Sequence, residues 1–189
     1  MKVQCCVAGG GPAGSAPALT LLRYSKLRPV LIERSSYDTW RVGETLSPGV
    51  FPLLAYLGAE SVLTDRGQRR AYATSAAWGS ADVVSRDFLF TGGGDAWHLD
   101  RTRFDASLAQ LVEERGGTVL TGTPFSAEMV ENFGARYVID ATGRHAAFAR
   151  TRGAHAVAED TLTGLVADFD GSHEAKTVTL VEGVEDGWG

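Results

Sequence analysis

The sequence predicts an α/β fold in which helices flank a parallel sheet. An apolar segment at Val3–Ala8 runs directly into a glycine-rich turn at residues 9–14, and a second apolar segment at Pro29–Ile32 ends in an acid. The residues between them are mostly small and apolar, as in a helix packed on a sheet. A strand, a tight turn, a helix and a second strand in this order form a βαβ unit, whose strands are parallel.

The composition restricts the class of protein. The 189 residues are 44% apolar and 22% charged, with a formal net charge of −5. These values are typical of a globular domain and give no reason to expect nucleic-acid binding. No apolar segment reaches the length of about 20 residues that spans a bilayer, so we expect a cytoplasmic protein without a membrane partner.

The remaining elements follow from local patterns. We expect a helix from Pro12 to about Tyr24, kinked at Pro17, then a loop at 34–48 and a short helix at 49–58. Asp100 is expected to cap a helix over 101–115. The apolar face of that helix has the spacing of an amphipathic helix and comprises Phe104, Leu108, Leu111 and Val112. Further short strands are expected at 76–78, 87–90, 118–120, 136–140, 162–169 and 177–181.

The glycine-rich turn matches a dinucleotide-binding fingerprint. Gly9 allows the tight turn, Gly11 lets the backbone approach a pyrophosphate, and Gly14 lets the helix close onto the strand. Pro12 and Ala13 open the helix, whose N-terminus favours negative charge. Glu33 ends the next strand, 19 residues after Gly14, and its carboxylate can accept hydrogen bonds from a ribose diol. A 2′-phosphate would be repelled there, so FAD or NAD is favoured over NADP.

Three further segments resemble one family. They are Tyr-Val-Ile-Asp-Ala-Thr-Gly-Arg at 137–144, Arg-Val-Gly-Glu-Thr-Leu-Ser-Pro at 41–48 and Leu-Asp-Arg-x-x-Phe-Asp-x-x-Leu at 99–108. Together with the glycine turn they resemble the FAD-dependent oxidoreductases of the p-hydroxybenzoate-hydroxylase type, and among these the tryptophan-halogenase-like branch. The segment at 41–48 is also similar to flavoproteins that mature quinone-cofactor amine oxidases.

The resemblance implies a Rossmann-like FAD-binding domain and a set of FAD contacts. In relatives the Ala-Thr-Gly turn passes close to the FAD and the Arg-x-Gly-Glu segment lies along it. Arg41 is a candidate phosphate or substrate clamp, whereas Asp105 is expected to support its helix locally. The residues implied beyond the glycine turn and Glu33 are Arg34, Arg41, Gly43, Glu44, Arg101, Asp140, Ala141, Thr142 and Gly143.

The resemblance covers the N-terminal portion of relatives that are about twice as long. We expect residues 1–160 to form the FAD/NAD(P)-binding domain, with 70–98 as an option for the substrate-side sheet. Residues 161–189 are expected to be the truncated beginning of a β-rich substrate domain. A downstream Gly-Asp motif that receives part of the FAD in relatives is absent from the sequence, and the segment between Gly122 and Arg136 is shorter than expected.

The implied function is that of an FAD-dependent oxidoreductase of the monooxygenase type, acting through a flavin C4a-peroxide on a small substrate, with an aromatic one among the options. Electrons would come from NAD(P)H or from a separate flavin reductase. The alternatives are a non-catalytic FAD-binding module, a flavin-dependent halogenase, a flavoprotein that modifies a partner protein, and an NAD-binding dehydrogenase domain. The Ala-Thr-Gly turn and the Arg-x-Gly-Glu segment argue against the last of these. Halogenation through a relay lysine is disfavoured, because no lysine lies between Lys26 and Lys176.

Other chemistry has little support. The four histidines show no metal-binding spacing, so no metal site is expected, and no residue is assigned a catalytic role; His145 alone could approach the cofactor. Trp78, Trp97 and Trp188 could line an aromatic substrate face, although core packing is the favoured interpretation. Cys5 and Cys6 are neighbours on a strand and should point to opposite faces, which disfavours a disulfide between them.

Overall fold

A computed structural model describes residues 4–43, 45–64, 67–91, 93–159, 161, 163–167, 178–185 and 187–188. In chain order its strands are β1 (Cys5–Ala8), β2 (Pro29–Ile32), β3 (Thr45–Leu46), β4 (Arg69–Ala71), β5 (Ala73–Ala77), β6 (Val84–Asp87), β7 (Ala96–His98), β8 (Thr118–Leu120), β9 (Tyr137–Asp140), β10 (Val178–Val184) and β11 (Gly187–Trp188). Its α-helices are α1 (Pro12–Tyr24), α2 (Val50–Leu57), α3 (Ser61–Thr64), α4 (Arg101–Glu114), α5 (Ala127–Phe133) and α6 (Ala147–Thr151).

A four-stranded parallel sheet confirms the predicted fold class. Its strand order is β8-β2-β1-β9, and all three pairings are parallel. Ala8 lies opposite Ile32 on one side and Asp140 on the other. The carboxyl ends of β1, β2 and β9 therefore meet at one edge, which is where open α/β sheets bind ligands.

Helices cover both faces of this parallel sheet. The larger core lies on the face covered by α1 and α4 and includes Leu19, Leu31 and Phe104. The other face carries a smaller cluster of Cys6, Val30 and Ile32, against which α5 packs. Cys5 belongs to the larger core and Cys6 to the smaller one, so their side chains point to opposite faces as predicted, and both are free thiols.

The described residues also form two smaller sheets. A mixed sheet has the order β11-β10-β5-β6, in which β10 pairs parallel with β5, whereas the other two pairings are antiparallel. An antiparallel sheet has the order β3-β7-β4. Of the segment 70–98, β5 and β6 thus share a sheet with β10, whereas β7 pairs with β3 and β4. The division into domains at residue 160 stays a prediction.

Most elements lie where the sequence predicts them, with four corrections. The predicted loop at 34–48 contains β3 (Thr45–Leu46), because these two residues pair with β7. Residues Phe88–Thr91 form a 3-10 helix rather than part of a strand, because the strand ends at Asp87, whose Oδ1 accepts a hydrogen bond from the Leu89 amide. Strand β5 ends at Ala77, before Trp78. Within the predicted strand at 162–169, the described residues 163–167 form no strand; the others lie outside the described residues. Helix α1 continues through Pro17 without ending there.

Among the residues that the structure describes, none of the helices combines the length and apolar composition needed to cross a bilayer.

Candidate functional site

Three of the four glycines in the turn between β1 and α1 belong to the dinucleotide-binding fingerprint. Gly9 has a φ of +100°, and a Cβ there would overlap the carbonyl group of Ala141. A Cβ on Gly14 would overlap the carbonyl oxygen of Gly9. A Cβ on Gly11 would meet nothing within 4 Å. Packing therefore requires glycine at positions 9 and 14, whereas Gly11 faces open space beside the turn.

Helix α1 begins directly at this open space. Its N-cap is Gly11, no side chain caps it, and Pro12 occupies the first turn. The uncapped amides at a helix N-terminus carry partial positive charge and are suited to an anion. The start of α1 thus offers backbone donors where the sequence predicts a pyrophosphate.

Glu33 follows β2 and lies beside the glycine turn. Its Oε2 accepts a hydrogen bond from the Gly10 amide at 2.7 Å, and its Oε1 accepts from the Ser35 amide at 3.0 Å and the Ser35 hydroxyl at 2.7 Å. Burial raises the pKa of the carboxyl group, but the hydrogen bonds from Ser35 and Gly10, together with Arg41, outweigh burial and lower the pKa. Glu33 is therefore held as a carboxylate, the form that accepts hydrogen bonds from hydroxyl groups.

A chain of alternating charges extends from Glu33. Arg41 donates from Nη2 to Glu33 Oε1 at 3.1 Å and from Nη1 to Asp105 Oδ2 at 2.7 Å. Arg101 donates from Nε to Asp105 Oδ1 and from Nη2 to Asp105 Oδ2, both at 3.1 Å. We call Glu33, Arg41, Asp105 and Arg101 the charged chain. The local role predicted for Asp105 is incomplete, because this fully buried carboxylate also binds an arginine that lies 64 residues earlier in the sequence.

Tyr37 is a residue of this region that the sequence did not indicate. Its hydroxyl donates to the carbonyl oxygen of Gly10 at 2.8 Å, and the guanidinium carbon of Arg41 lies 5.6 Å from the centre of its ring. Burial raises the pKa of Tyr37, and the charge of Glu33 adds to this effect, so the hydroxyl stays protonated and acts as a donor. A φ of +58° at this position is uncommon outside glycine and requires support from the surrounding contacts.

The turn after β9 packs against the glycine turn. Asp140 Oδ1 accepts from the amide and the hydroxyl of Thr142, and its Oδ2 accepts from the amides of Phe148 and Ala149. Burial raises the pKa of Asp140, but these hydrogen bonds outweigh burial and lower it. The side chain of Asp140 thus binds the start of α6, while the carbonyl group of Ala141 lies against Gly9.

The other predicted residues occupy different surroundings. Arg34 is exposed, and its Nη1 lies 3.4 Å from Nε2 of His145, which comes after Gly143. Gly43 has the Leu99 carbonyl oxygen 3.2 Å from the position of a Cβ. Glu44 lies outside the described residues. Arg34 and His145 therefore meet across the carboxyl edge of the parallel sheet, although 111 residues separate them.

The three tryptophans considered for a substrate face differ in burial. Trp97 is buried, in agreement with core packing, and lies beneath the guanidinium group of Arg70. Trp78 and Trp188 are 64% and 70% exposed, so core packing is wrong for both within the described residues. Trp188 lies in β11 of the mixed sheet, and Trp78 directly follows β5 of the same sheet.

Comparison with known proteins agrees with the fold. No family model matches the chain. The chain is 30% identical over 202 residues to LodB of Marinomonas mediterranea, which bears the name of an FAD-dependent oxidoreductase; the match covers 96% of the chain and 54% of LodB. The chain thus spans about half the length of that relative.

Solved structures similar to the chain are also flavoproteins. The flavin-dependent halogenase CmlS is 28% identical, with a TM-score of 0.57 over 67% of the chain and 24% of CmlS. A flavoprotein/dehydrogenase from Cytophaga hutchinsonii shares the fold with a TM-score of 0.70 at 20% identity, over 95% of the chain and 50% of that protein. The chain is therefore a homologue of FAD-dependent oxidoreductases and flavin-dependent halogenases, which are enzymes. Its similarity to LodB extends over nearly all of its length.

Proposed function

We propose that the chain is the FAD-binding part of an FAD-dependent oxidoreductase of the monooxygenase type. The observation that carries the proposal is the meeting of the glycine turn, Glu33 and the turn at 140–143 at one edge of a parallel sheet. The homology to FAD-dependent oxidoreductases and halogenases supports FAD as the dinucleotide.

The residues at this edge fit a dinucleotide. The uncapped start of α1 and the open space at Gly11 would receive the pyrophosphate. Glu33 would accept hydrogen bonds from the adenosine ribose, and its lowered pKa keeps it ionised for this task. Arg41 and Arg101 would provide positive charge beside the phosphates. Arg34, Gly43 and Glu44 complete the proposed set, together with the turn at 140–143.

FAD, when bound, supplies the redox chemistry of its flavin ring, and the described residues supply binding and orientation. We assign no catalytic residue. The electron donor proposed is NAD(P)H or a separate flavin reductase, and the proposed substrate is a small molecule, with aromatic compounds as the first class to screen. The cytoplasmic location expected from the sequence stays a prediction.

Halogenation is a second candidate, which the 28% identity to the halogenase CmlS favours. The sequence argues against a lysine relay within this chain, because only Lys2, Lys26 and Lys176 are present. Assays with a flavin reductase, O2 and chloride distinguish the two reactions on the same substrate. A hydroxylated product supports oxygenation, whereas a chlorinated product would replace our proposal with halogenation.

FAD binding is tested with the purified chain and a glycine pair. We expect the wild-type chain to retain FAD, measured as flavin absorbance after gel filtration and as quenching of flavin fluorescence on titration. Gly11→Ala places a methyl group in the proposed pyrophosphate space and should weaken FAD binding about tenfold or more. The matched control is Gly164→Ala, since a Cβ there also meets nothing within 4 Å. A wild-type chain that binds no FAD, or equal affinities for both variants, would contradict this assignment.

A further inference from the structure

Asp105 is an unusual residue because a fully buried carboxylate connects two arginines from different parts of the chain. It lies in α4, with a side-chain exposure of 0%. Its Oδ1 accepts from Arg101, and its Oδ2 accepts from both Arg101 and Arg41. The Arg101 pairing spans one helical turn, whereas Arg41 belongs to the loop that follows β2.

Stability alone is a weak reason for this arrangement. Burying charges costs desolvation free energy, and well-packed apolar residues of similar volume often stabilise a protein equally well or better. Helix α4 is already anchored in the larger core by Phe104, Leu108 and Val112. A neutral residue at position 105 would serve that packing without any charge to compensate.

The arrangement does fix the guanidinium group of Arg41. One end of this planar group binds Asp105, and the other end binds Glu33 and the hydroxyl of Ser35 at 2.6 Å. Two carboxylates at opposite ends hold the plane in one orientation. Among the residues that the structure describes, no acceptor contacts Nε of Arg41 or the second N–H of its Nη1, and the side chain is 26% exposed. Donors therefore remain for a ligand.

The charged chain is linked to the glycine turn through Glu33. Glu33 binds the Gly10 amide, so Arg41 is two hydrogen-bonded contacts away from the turn. Asp105 lies between two guanidinium groups and offsets their mutual repulsion. With Glu33 included, the two positive and two negative side chains balance, so the remaining N–H donors of Arg41, rather than a net charge, would recognise phosphate oxygens.

We propose that Asp105 is a positioning residue, which holds the guanidinium group of Arg41 for the phosphates of a dinucleotide. This inference rests on the proposed function and adds a role to a fully buried residue. It requires that Asp105 affect phosphate recognition more than adenosine recognition.

The test compares ADP with adenosine as probes, titrated calorimetrically into the full chain. Asp105→Asn should weaken ADP binding about tenfold, since misplaced charge-assisted hydrogen bonds cost about that factor, and should change adenosine binding less than about twofold. In an Arg41→Gln background the same substitution should have a smaller effect on ADP, because the guanidinium group that Asp105 positions is already absent.

The matched control is Asp100→Asn, which changes the same residue type on the same helix. Asp100 caps α4 through the Arg103 amide and is exposed, so this variant should leave the ratio of the ADP and adenosine affinities unchanged. A purely structural role for Asp105 would instead lower both affinities alike.

A second variant covers the case in which Asp105→Asn does not fold. Asp105→Glu keeps the charge but moves the carboxylate by one methylene group, and it should also lower the ratio of the affinities. An unchanged ratio in the folded variants overturns the inference and leaves the proposed function intact. A wild-type chain that binds neither ADP nor FAD overturns the proposed function and the inference with it.

Discussion

Strands β1 and β2 of the parallel sheet are buried along their full length, whereas β6 and β11 of the mixed sheet are exposed along theirs. The parallel strands have helices on both faces, as their continuous apolar sequences require. The mixed sheet and the 3-10 helix after it expose large apolar side chains, with Leu89 at 82% and Phe90 at 87%. The βαβ unit therefore encloses its own core, whereas the mixed sheet contributes little burial within the described residues.

The polar groups of the two regions also differ in burial. At the edge of the parallel sheet, buried Glu33 and Asp105 have all their charges paired by named donors. In the mixed sheet, the hydroxyl of Thr179 contacts that of Thr45, which in turn contacts His98, at an exposed position. We therefore expect substitutions at the parallel sheet to change stability and binding far more than substitutions at the mixed sheet.

The largest contrast is expected from one substitution made in both regions. Leu31→Ala in β2 removes a fully buried side chain and should lower the free energy of unfolding by about 2–5 kcal/mol. Leu89→Ala removes a side chain that is 82% exposed and should change it by less than about 0.5 kcal/mol. Urea denaturation of both variants measures the difference, and comparable losses would refute the comparison.

Two glycines of the same turn should separate packing from binding. Gly14→Ala forces a Cβ onto the Gly9 carbonyl oxygen and should cost about 2–3 kcal/mol of unfolding free energy. Gly11→Ala should cost less than about 0.5 kcal/mol, because Gly11 has open space and a φ of −73° that alanine adopts readily. Denaturation in the absence of FAD measures both losses of unfolding free energy. A larger loss for Gly11→Ala than for Gly14→Ala would contradict the packing described for the turn.

Asp140 should make the stability of the parallel sheet depend on pH. Its pKa is lowered in the folded chain from the ordinary value of 3.8, so its contribution is present above that value and is lost as the pH falls through the lower folded pKa. Asp140→Asn should cost about 1–3 kcal/mol near neutral pH and flatten the acid side of the stability profile.

The control for that substitution is Asp95→Asn, which removes an exposed ion pair with Arg70 at 2.7 Å and should cost at most about 1 kcal/mol. Denaturation at a series of pH values between neutral and acid measures both variants. An acid profile of Asp140→Asn that matches the wild-type profile would rule out the role given to this carboxylate.

The smallest effect is expected from a single hydroxyl group. Tyr37→Phe removes the hydrogen bond to the Gly10 carbonyl oxygen and should cost about 1 kcal/mol, because the group is partly buried. Tyr24→Phe removes a similar bond to the Tyr56 carbonyl oxygen at an exposed position and should cost less. Thermal unfolding measures both variants. Equal losses would show that the hydrogen bond of Tyr37 stabilises the turn no more than an exposed hydrogen bond does.

The sequence predicted the elements whose signals are local. The apolar runs of β1 and β2, the glycine turn, the Asp100 cap of α4 and the apolar face of that helix all appear where expected. Each depends on burial periodicity or backbone conformation within a few residues. The 3-10 helix at Phe88–Thr91 was missed because an apolar run of this length also suits a strand.

The parallel α/β sheet, the glycine turn and the acid Glu33 at the end of the second strand could all be predicted from the sequence alone. Only the tertiary structure showed that Asp105 reaches Arg41, that Ser35 and Tyr37 support the turn, and that Arg34 meets His145. The physical reason is the range of each signal. Spacing in a sequence reports the geometry of one helix or strand, whereas an ion pair across 64 residues depends on where a loop returns in space.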